Sequence, residues 1–267
     1  MTSSPGPGPQ GGEPVPRGLG DPPAEATGRG PSIRRWLIPA LVLIPIVGAA
    51  ATYLLFFTGD SPERLTLSTP ADRGQTGSPA TATPGAGRLV GQWTVGAGSV
   101  AGYRVREKLA DFAAQSDGVG RTEAVTGGLT VRQDGNRLVA ESVRMDVDVS
   151  QLKSDEAMRD RRMTSMGLET TKYPTASFAS AGPVTVPATV AGGGRTTVEA
   201  TGDLTIHGVT RRVTIPLQVQ MNGERAEVVG SLTFPMSDFG ITPPNVANFV
   251  TVESEATLEF QLFLTRG

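Results

Sequence analysis

His207 is the only histidine in the 267-residue chain, and the chain contains no cysteine. A single imidazole cannot form an acid–base pair or a metal site unless carboxylates converge on it. His207 precedes Gly208 between two strand-like segments, where a role in the turn is sufficient. The lack of cysteine excludes disulfides, thiolate metal sites and a cysteine nucleophile. We therefore expect no catalytic residue, no metal site and no cofactor.

Asp146 and Asp148 are the other residues whose spacing could do chemistry. Two carboxylates can cleave a glycosidic bond when they flank a cleft at a defined separation and one has a raised pKa. Here they alternate with Val147 and Val149, so the pattern places them on a solvated outer face of a strand. An enzyme would need an unusual site of Asp, Arg and Tyr, and we rank this class third.

Arg159, Asp160, Arg161 and Arg162 form a charged run. Guanidinium groups suit phosphate geometry, so the run could contact a lipid headgroup. The simpler interpretation, which we favour, is a solvated helix face with local ion pairs. Three methionines of the same segment form either a flexible apolar lid or the buried side of the helix, and these are Met158, Met163 and Met166. The candidate rim residues are Met158, Arg159, Arg162 and Met163.

The segment from Val198 to Ile241 organises the elements around these residues. It predicts three successive strands with two-residue periodicity, in which apolar side chains share one face. Asn222-Gly223 is a strong hairpin signal, because both central residues of a type I′ turn need positive φ. Such a sheet has one apolar face and one polar face, so it must fold over a core.

The remaining strands follow the same pattern. We expect strands over Gln92–Val95, Ser99–Leu109, from Val125, from Val139, around Phe178 and over Val250–Leu264, a polar loop over Asp111–Gly118, and one short helix over Ser154–Met166 with Ser154 as its N-cap. Long alternating strands suit a closed barrel, and closure removes exposed edges. The predicted fold is all-β: a closed antiparallel β-barrel of about eight strands with one short helix. An outer-membrane barrel is disfavoured, since its apolar face would point outward.

Four regions are predicted along the chain. Residues 1–31 are rich in Gly and Pro and form a disordered cytoplasmic tail. Residues 32–58 form a single transmembrane helix, whose uncharged run of about 34 Å is long enough to cross a bilayer. Residues 59–90 form a Pro/Thr/Gly-rich extracytoplasmic tether. Residues 91–267 form the barrel.

A cleaved signal peptide is the alternative to the transmembrane helix, but its apolar region would be shorter and nearer the N-terminus. Arg29, Arg34 and Arg35 precede the apolar run, whereas Asp60, Glu63 and Arg64 follow it. The positive-inside rule then leaves the N-terminus in the cytoplasm and the barrel outside the cytoplasmic membrane of a bacterium.

The inward face of the barrel would hold any ligand. The predicted lumen residues are Val143, Met145, Val147, Phe178, Val198, Leu204, Ile215, Leu217, Val228, Leu232, Phe234, Leu258, Phe260 and Leu262. Small residues such as Gly127, Gly202 and Gly230 share this face. They either leave room for an elongated apolar ligand or mark close strand packing, and the sequence leaves both open.

An ordered set of motifs gives the chain a family resemblance. The pieces are Trp93 with Ser99 and Val100, Val125–Leu129, Ser154 with Arg159-Asp160, Tyr173–Phe178, Gly202–Thr210 and Asp238–Ile241. In this order they resemble the YceI-like family of exported bacterial proteins. The resemblance implies a lipocalin-like barrel that binds polyisoprenoid lipids. The chain departs from the family pattern around Gly98 and at Gly167-Leu168, and these departures bear on the ligand more than on the fold.

We therefore expect a membrane-anchored extracytoplasmic protein that holds or transfers a long apolar lipid, with a polyisoprenoid as the leading class. The alternative is a cell-envelope interaction scaffold whose barrel is packed and empty of ligand. The bilayer is the second partner, through the transmembrane helix. The sequence has no cluster of Lys and Arg that would indicate a nucleic-acid-binding surface. The sequence does not fix the oligomeric state, and a homodimer stays open.

Overall fold

The computed structural model describes residues 61–69, 85–109, 115–246 and 250–267. Its contacts divide the chain into Met1–Leu55 and Phe56–Gly267, and all described residues belong to the second unit. The predicted tail and transmembrane helix lie outside the described residues. Within the described ranges, no helix combines the length and hydropathy that crossing a bilayer requires.

The described part of the chain is mostly antiparallel β-sheet. The strands are β1 (Gly91–Val95), β2 (Val100–Leu109), β3 (Gln115–Thr122), β4 (Val125–Asp134), β5 (Arg137–Asp148), β6 (Lys153–Ser154), β7 (Thr175–Ser180), β8 (Val184–Pro187), β9 (Arg195–Ile206), β10 (Val209–Asn222), β11 (Arg225–Pro235), β12 (Asn245–Val246) and β13 (Val250–Arg266). One α-helix, α1, covers Ala157–Arg162 and continues as a π-helical turn over Met163–Gly167. Short 3₁₀ helices cover Ala86–Leu89, Val149–Gln151, Ala188–Gly192 and Met236–Phe239.

Eight strands close into a barrel, as the sequence predicts. Their order around the ring is β1, β4, β5, β7, β9, β10, β11 and β13, and β13 returns to β1 through Val95↔Leu264 and its neighbours. Because β1 pairs on both sides, the ring has no open edge there. The long β13 also pairs with β2, and β3 and β6 extend the sheet beyond β2.

Side-chain alternation sets the register, because it turns one face of each strand inward. Leu217 pairs with Gly230, and Gly230 pairs with Phe260, so three strands place these positions on one inner row. In β5 the alternation is broken at Ser142, which has φ 54° where the β4–β5 register shifts. This β-bulge reverses the facing of the residues before it, so Leu138 and Ala140 turn inward.

The helix is shorter than predicted, and its cap is different. Ser154 belongs to β6, and the N-cap is Glu156, whose carboxylate accepts hydrogen bonds from the N–H groups of Met158 and Arg159. Ser154 instead donates its hydroxyl to Asp160 Oδ1 at 2.7 Å. The Ser154 hydroxyl is thus used by Asp160, and the Glu156 carboxylate satisfies the first free N–H groups of the helix.

The loop predicted over Asp111–Gly118 is wrong in its second half, because Gln115 to Gly118 belong to β3. This strand has little apolar alternation, and glycine is depleted in strands. Its glycines instead make room for neighbours: a Cβ on Gly120 would lie 2.4 Å from the Tyr103 ring, and one on Gly118 would lie 2.9 Å from Arg159 Nε.

Residues 61–69, which we call the strap, run along the outer wall of the barrel. Ser61 Oγ donates to Asp117 O at 2.9 Å, and Ser68 N–H donates to Glu227 Oε1 at 2.8 Å. The side chain of Leu67 is buried, with 5% of its surface exposed. The predicted tether covers this segment, and its described residues therefore contact the barrel.

Candidate functional site

The barrel encloses an apolar inner chamber of about 190 Å³. Ser177 is the only wall residue with a polar side chain among those that the structure describes, apart from the indole of Trp93. The Trp93 Nε1–H is already used, because it donates to Leu89 O at 2.8 Å. A molecule in this chamber would gain from burial of apolar surface and would find almost no hydrogen-bond partner.

The structure brings most of the predicted lumen residues together around this chamber. Its wall contains Val143, Met145, Val147, Phe178, Val198, Leu204, Ile215, Leu217, Val228, Leu258, Phe260 and Leu262. Phe234 lies on the wall of a second chamber, described below. Leu232 borders neither chamber and packs against the core cluster that contains Phe234.

Several wall residues were missed by the sequence prediction. Leu138, Val184 and Val190 contribute to the inner chamber. The bulge at Ser142 hides the facing of Leu138, while Val184 and Val190 belong to a four-residue strand and a short 3₁₀ helix that give no periodic signal. Trp93 and Leu129 alternate correctly in their strands and could have been found by extending the pattern.

The glycines of the inner face do not leave empty space at every position. A Cβ on Gly230 would lie 2.4 Å from Phe260 Cζ, and one on Gly202 would lie 2.4 Å from Phe178 Cζ. The aromatic rings therefore occupy the space that these glycines leave. At both positions, close packing is the correct one of the two interpretations, and the chamber is the space that remains between the other side chains.

One end of the inner chamber is closed by side chains of two 3₁₀ helices. Leu89 and Val190, from two 3₁₀ helices, are buried in one cluster with Trp93 and Leu138. The two helices contact each other across this end. We call it the closed end.

At the opposite end lies an outer chamber of about 340 Å³, which is within the range of ligand pockets. The two chambers are adjacent, since five residues border both: Ala101, Val147, Ala176, Ile206 and Leu258. Helix α1 and the π-helical turn form one side of the outer chamber through Met158, Arg159, Arg162 and Met163. All four predicted rim residues therefore lie on its wall, and we call this end the rim.

The charged residues of the rim have different surroundings. Arg159 donates from Nε and Nη2 to the two oxygens of Glu107, at 2.9 and 3.0 Å, and also contacts Asp155. Burial alone would lower the pKa of Arg159, but these carboxylates raise it above its ordinary value. Arg162 has no carboxylate partner among the described residues, and its Nη2 lies 3.8 Å from Met158 Sδ. Arg159 is thus held in an ion pair, as the simpler interpretation predicts, whereas Arg162 is available to an anion.

Tyr103 contributes a neutral polar group to the outer chamber. Burial raises the pKa of its phenol well above the ordinary value, and the nearby Arg159 only partly offsets this. The hydroxyl therefore stays protonated at all physiological pH values. The chamber changes from wholly apolar inside to mixed at the rim.

His207 and Asp148, the other residues considered for chemistry, both form hydrogen bonds with neighbouring residues. His207 Nδ1 lies 3.2 Å from Phe239 O, and Nε2 lies 2.6 Å from Glu169 Oε2. Asp148 accepts from Ser150 N–H at 3.0 Å and caps a 3₁₀ helix. In the described ranges, no group of three or more His, Asp and Glu side chains is arranged to hold a metal ion.

Fold and site together define a closed β-barrel with an apolar inner chamber and an adjacent outer chamber at one rim. The chain belongs to the YceI-like domain family, whose model matches residues 95–264. This confirms the resemblance that the motifs indicate.

Curated relatives match a smaller part of the chain. A UPF0312 protein of Pseudomonas putida (strain W619) is 32% identical over 133 residues, which is 47% of this chain and 65% of the relative. A UPF0312 protein of Vibrio cholerae is 32% identical over 127 residues, which is 45% of this chain and 64% of the relative. The matches thus span slightly less than two thirds of each relative.

Solved structures are also similar to this chain. A polyisoprenoid binding domain from Saccharophagus degradans, described as implicated in plant cell wall breakdown, is 20% identical with a TM-score of 0.49 and covers 67% of this chain and 99% of its own. BcnA of Burkholderia cenocepacia is 22% identical with a TM-score of 0.44 and covers 61% of this chain and 95% of its own.

Proposed function

We propose that this protein is a membrane-anchored binding protein that holds or transfers a long apolar lipid, with a polyisoprenoid as the preferred class. The observation that carries the proposal is an apolar inner chamber that shares five wall residues with the outer chamber at the rim. Each buried CH₂ contributes about 0.8 kcal/mol to binding, before ordering costs. A hydrocarbon chain can fill this chamber at no cost in hydrogen bonds. The polar groups of a hydrophilic ligand would find no hydrogen-bond partner there.

The rim supports selection of a polar headgroup. Arg162 and the protonated Tyr103 hydroxyl border the outer chamber, so an anionic or hydroxyl-bearing end group would meet them while its chain lies deeper. The family resemblance supports a polyisoprenoid over a linear acyl chain. The anchor at residues 32–58 and the extracytoplasmic location rest on the sequence pattern.

The proposal is tested by purifying the full chain in mild detergent from a bacterial membrane and analysing its organic extract by mass spectrometry. We expect a prenyl lipid that copurifies in a fixed ratio to protein. Recovery of linear phospholipid alone would reject the polyisoprenoid, and recovery of no lipid would reject the carrier role.

The alternative is a scaffold with a packed barrel, and one observation favours it. The Phe178 and Phe260 rings fill the space beside Gly202 and Gly230, which keeps the inner chamber small. If the barrel is a packed scaffold without a ligand, variants of these two phenylalanines should leave the binding of envelope proteins unchanged. A lipid in the extract would decide against the scaffold.

A further inference from the structure

The strap has a direction along the barrel. At its first residue, Ser61 Oγ also accepts from Asp117 N–H at 3.2 Å, and Asp117 pairs with Arg106, the neighbour of the rim residue Glu107. At its other end, Ser68 contacts Glu227, whose neighbour Ala226 pairs with Leu264 in the cluster of the closed end. The strap therefore starts beside the rim and runs towards the closed end.

Two arginines of the barrel wall, one of them buried, hold the first half of the strap. Arg104, with 5% of its surface exposed, donates from Nη2 to Pro62 O at 2.7 Å and from Nη1 to Asp117 at 3.1 Å. Arg121 donates to Glu63 O and, at 2.8 Å, to Glu259. These donors are charged, and hydrogen bonds to charged groups are about twice as strong as neutral ones.

The second half is held by a cluster around Glu227, which is fully buried. Its carboxylate accepts from Ser68 N–H and Oγ–H, from Gln220 Nε2 at 2.6 Å and from Gln261 Nε2 at 2.7 Å. Ser68 O in turn accepts from Arg195 and Gln220. The strap is thus fixed at both ends.

The covalent chain brings the start of the strap close to the apolar run. Three residue steps separate Ser61 from Thr58, the last residue of the predicted anchor. A fully extended chain covers at most about 3.6 Å per residue, so Ser61 lies within about 11 Å of the end of the anchor. With the anchor in a bilayer, the part of the barrel that binds Ser61 must lie near the bilayer surface.

The rim has the chemistry of a surface that contacts lipid. Among the described residues, the large apolar side chains that are clearly exposed are Val90, Met158 and Met166. Met158 lies in α1 and Met166 in the π-helical turn that follows it, with 48% and 56% exposed. Arg161 and Arg162 lie between them and have no ion-pair partner in the described ranges. Exposed apolar side chains beside unpaired arginines suit a bilayer with anionic lipid.

We propose that the strap holds the barrel with its rim against an anionic bilayer, so that a lipid passes between the membrane and the chambers without crossing water. This inference rests on the proposed membrane anchor. The strap, rather than the length of the tether, then fixes which end of the barrel faces the membrane.

The experiment uses the full chain in vesicles of phosphatidylcholine and phosphatidylglycerol. Because the chain has no cysteine, Met166→Cys and Glu224→Cys can each carry a single environment-sensitive fluorophore. Glu224, whose side chain is 91% exposed, lies in the β10–β11 turn at the opposite end of the barrel from the rim. We expect nitroxide-labelled lipid to quench the label at position 166 several-fold more than the label at position 224.

A strap variant tests the cause of the orientation. Ser61→Ala combined with Arg121→Ala removes the hydrogen bonds between Ser61 Oγ and Asp117 and the donor to Glu63 O, and it changes no residue of the chambers. This double variant should reduce the difference in quenching between the two labels. Thr66→Ala is the matched control, because the strap bond at this residue uses its carbonyl oxygen, and it should preserve the contrast.

Three results would overturn the inference: equal quenching of the two labels in the unaltered strap, stronger quenching at position 224, or an unchanged contrast in the variant with Ser61→Ala and Arg121→Ala. The proposed function fails in a different way. A chain that does not float with the vesicles would reject the anchor, and the orientation with it. A chain that floats with the predicted contrast but yields no lipid on extraction would reject the carrier role alone.

Discussion

His207 and Glu169 face each other through a 2.6 Å contact between Nε2 and Oε2, and both residues have a positive φ, 52° and 46°. His207 occupies the two-residue turn between β9 and β10 together with Gly208, at φ 73°. Glu169 lies two residues after the π-helical turn of the rim, which ends at Gly167. The contact therefore joins the turn of a barrel hairpin to the segment that leads away from the rim, and Tyr173 packs edge-on against the His207 ring.

Replacing His207 separates the side-chain contact with Glu169 from the backbone strain. His207→Asn removes the contact with Glu169 but tolerates a positive φ, whereas His207→Ala adds strain of about 1–2 kcal/mol. We expect both variants to lower the free energy of unfolding, with Ala lower than Asn, as measured by urea denaturation. Glu169→Gln should add little further loss in the Asn background, because the two side chains form one interaction. If the losses in unfolding free energy of the two variants add fully, His207 and Glu169 do not form one interaction.

Placing a charge in the inner chamber should abolish lipid binding. Leu217 lies on the chamber wall, and its neighbour Gln218 points outward and is exposed. Leu217→Arg leaves a buried unpaired charge, which costs about 3–5 kcal/mol, and Phe260→Asp should act in the same way. Gln218→Arg is the matched control and should stay within about 0.5 kcal/mol of the parent. Lipid content per protein and the urea midpoint measure the outcome, and equal behaviour of the two arginine variants would show that the facing is wrong.

Gly230 is expected to resist any added side chain. A Cβ there would lie 2.4 Å from Phe260 Cζ and 2.9 Å from Leu217 Cδ2. Gly230→Ala overpacks the barrel and should cost about 1–3 kcal/mol of unfolding free energy. Phe260→Leu in the same chain removes the ring and should recover part of that loss. A double variant with the full sum of the two single losses would show that the contact does not limit this position.

The strap should weaken in acid through Glu227. Burial by itself raises the pKa of this carboxyl, but the hydrogen bonds from Ser68, Gln220 and Gln261 outweigh it and hold the pKa below its ordinary value. The ionised form is therefore favoured in the folded state. Its contribution to stability is complete above the unfolded pKa, near 4.5, and is lost as the pH falls through the folded value.

We expect the difference in unfolding free energy between the parent and Glu227→Gln to be largest at neutral pH and to shrink below about pH 4.5. Denaturation in urea at successive pH values measures it. Glu224→Gln is the control, because Glu224 is exposed in the neighbouring turn. A difference that grows towards low pH would show that the sign is wrong.

The barrel and most of its inner wall follow from two-residue alternation, because a barrel with an apolar interior imposes that pattern on every long strand. Leu217 and Phe260 were found in this way. Leu138 was not, since the bulge at Ser142 reverses the facing within β5. No local pattern marks such a bulge in a strand whose two faces both carry apolar residues.

β3 and the contacts of the strap were not predicted either, because both depend on contacts with residues that are distant in the sequence. In β3, Gly118 and Gly120 let Arg159 and Tyr103 approach the backbone, and these partners lie elsewhere in the sequence. The contacts of the strap depend on Glu227, which is 159 residues beyond Ser68. A short polar segment such as residues 61–69 resembles any flexible linker until its distant partners are known.

β13 has a consequence for how the barrel is made. This strand of 17 residues pairs with β1, β2, β11 and β12, and all of these precede it in the chain. Since it leaves the ribosome after its partners, β1, β2 and β11 must wait with unpaired edges, and long-range pairing of this kind is slow and exposed to aggregation. A chaperone that shields those edges until β13 arrives would therefore govern the yield of folded protein.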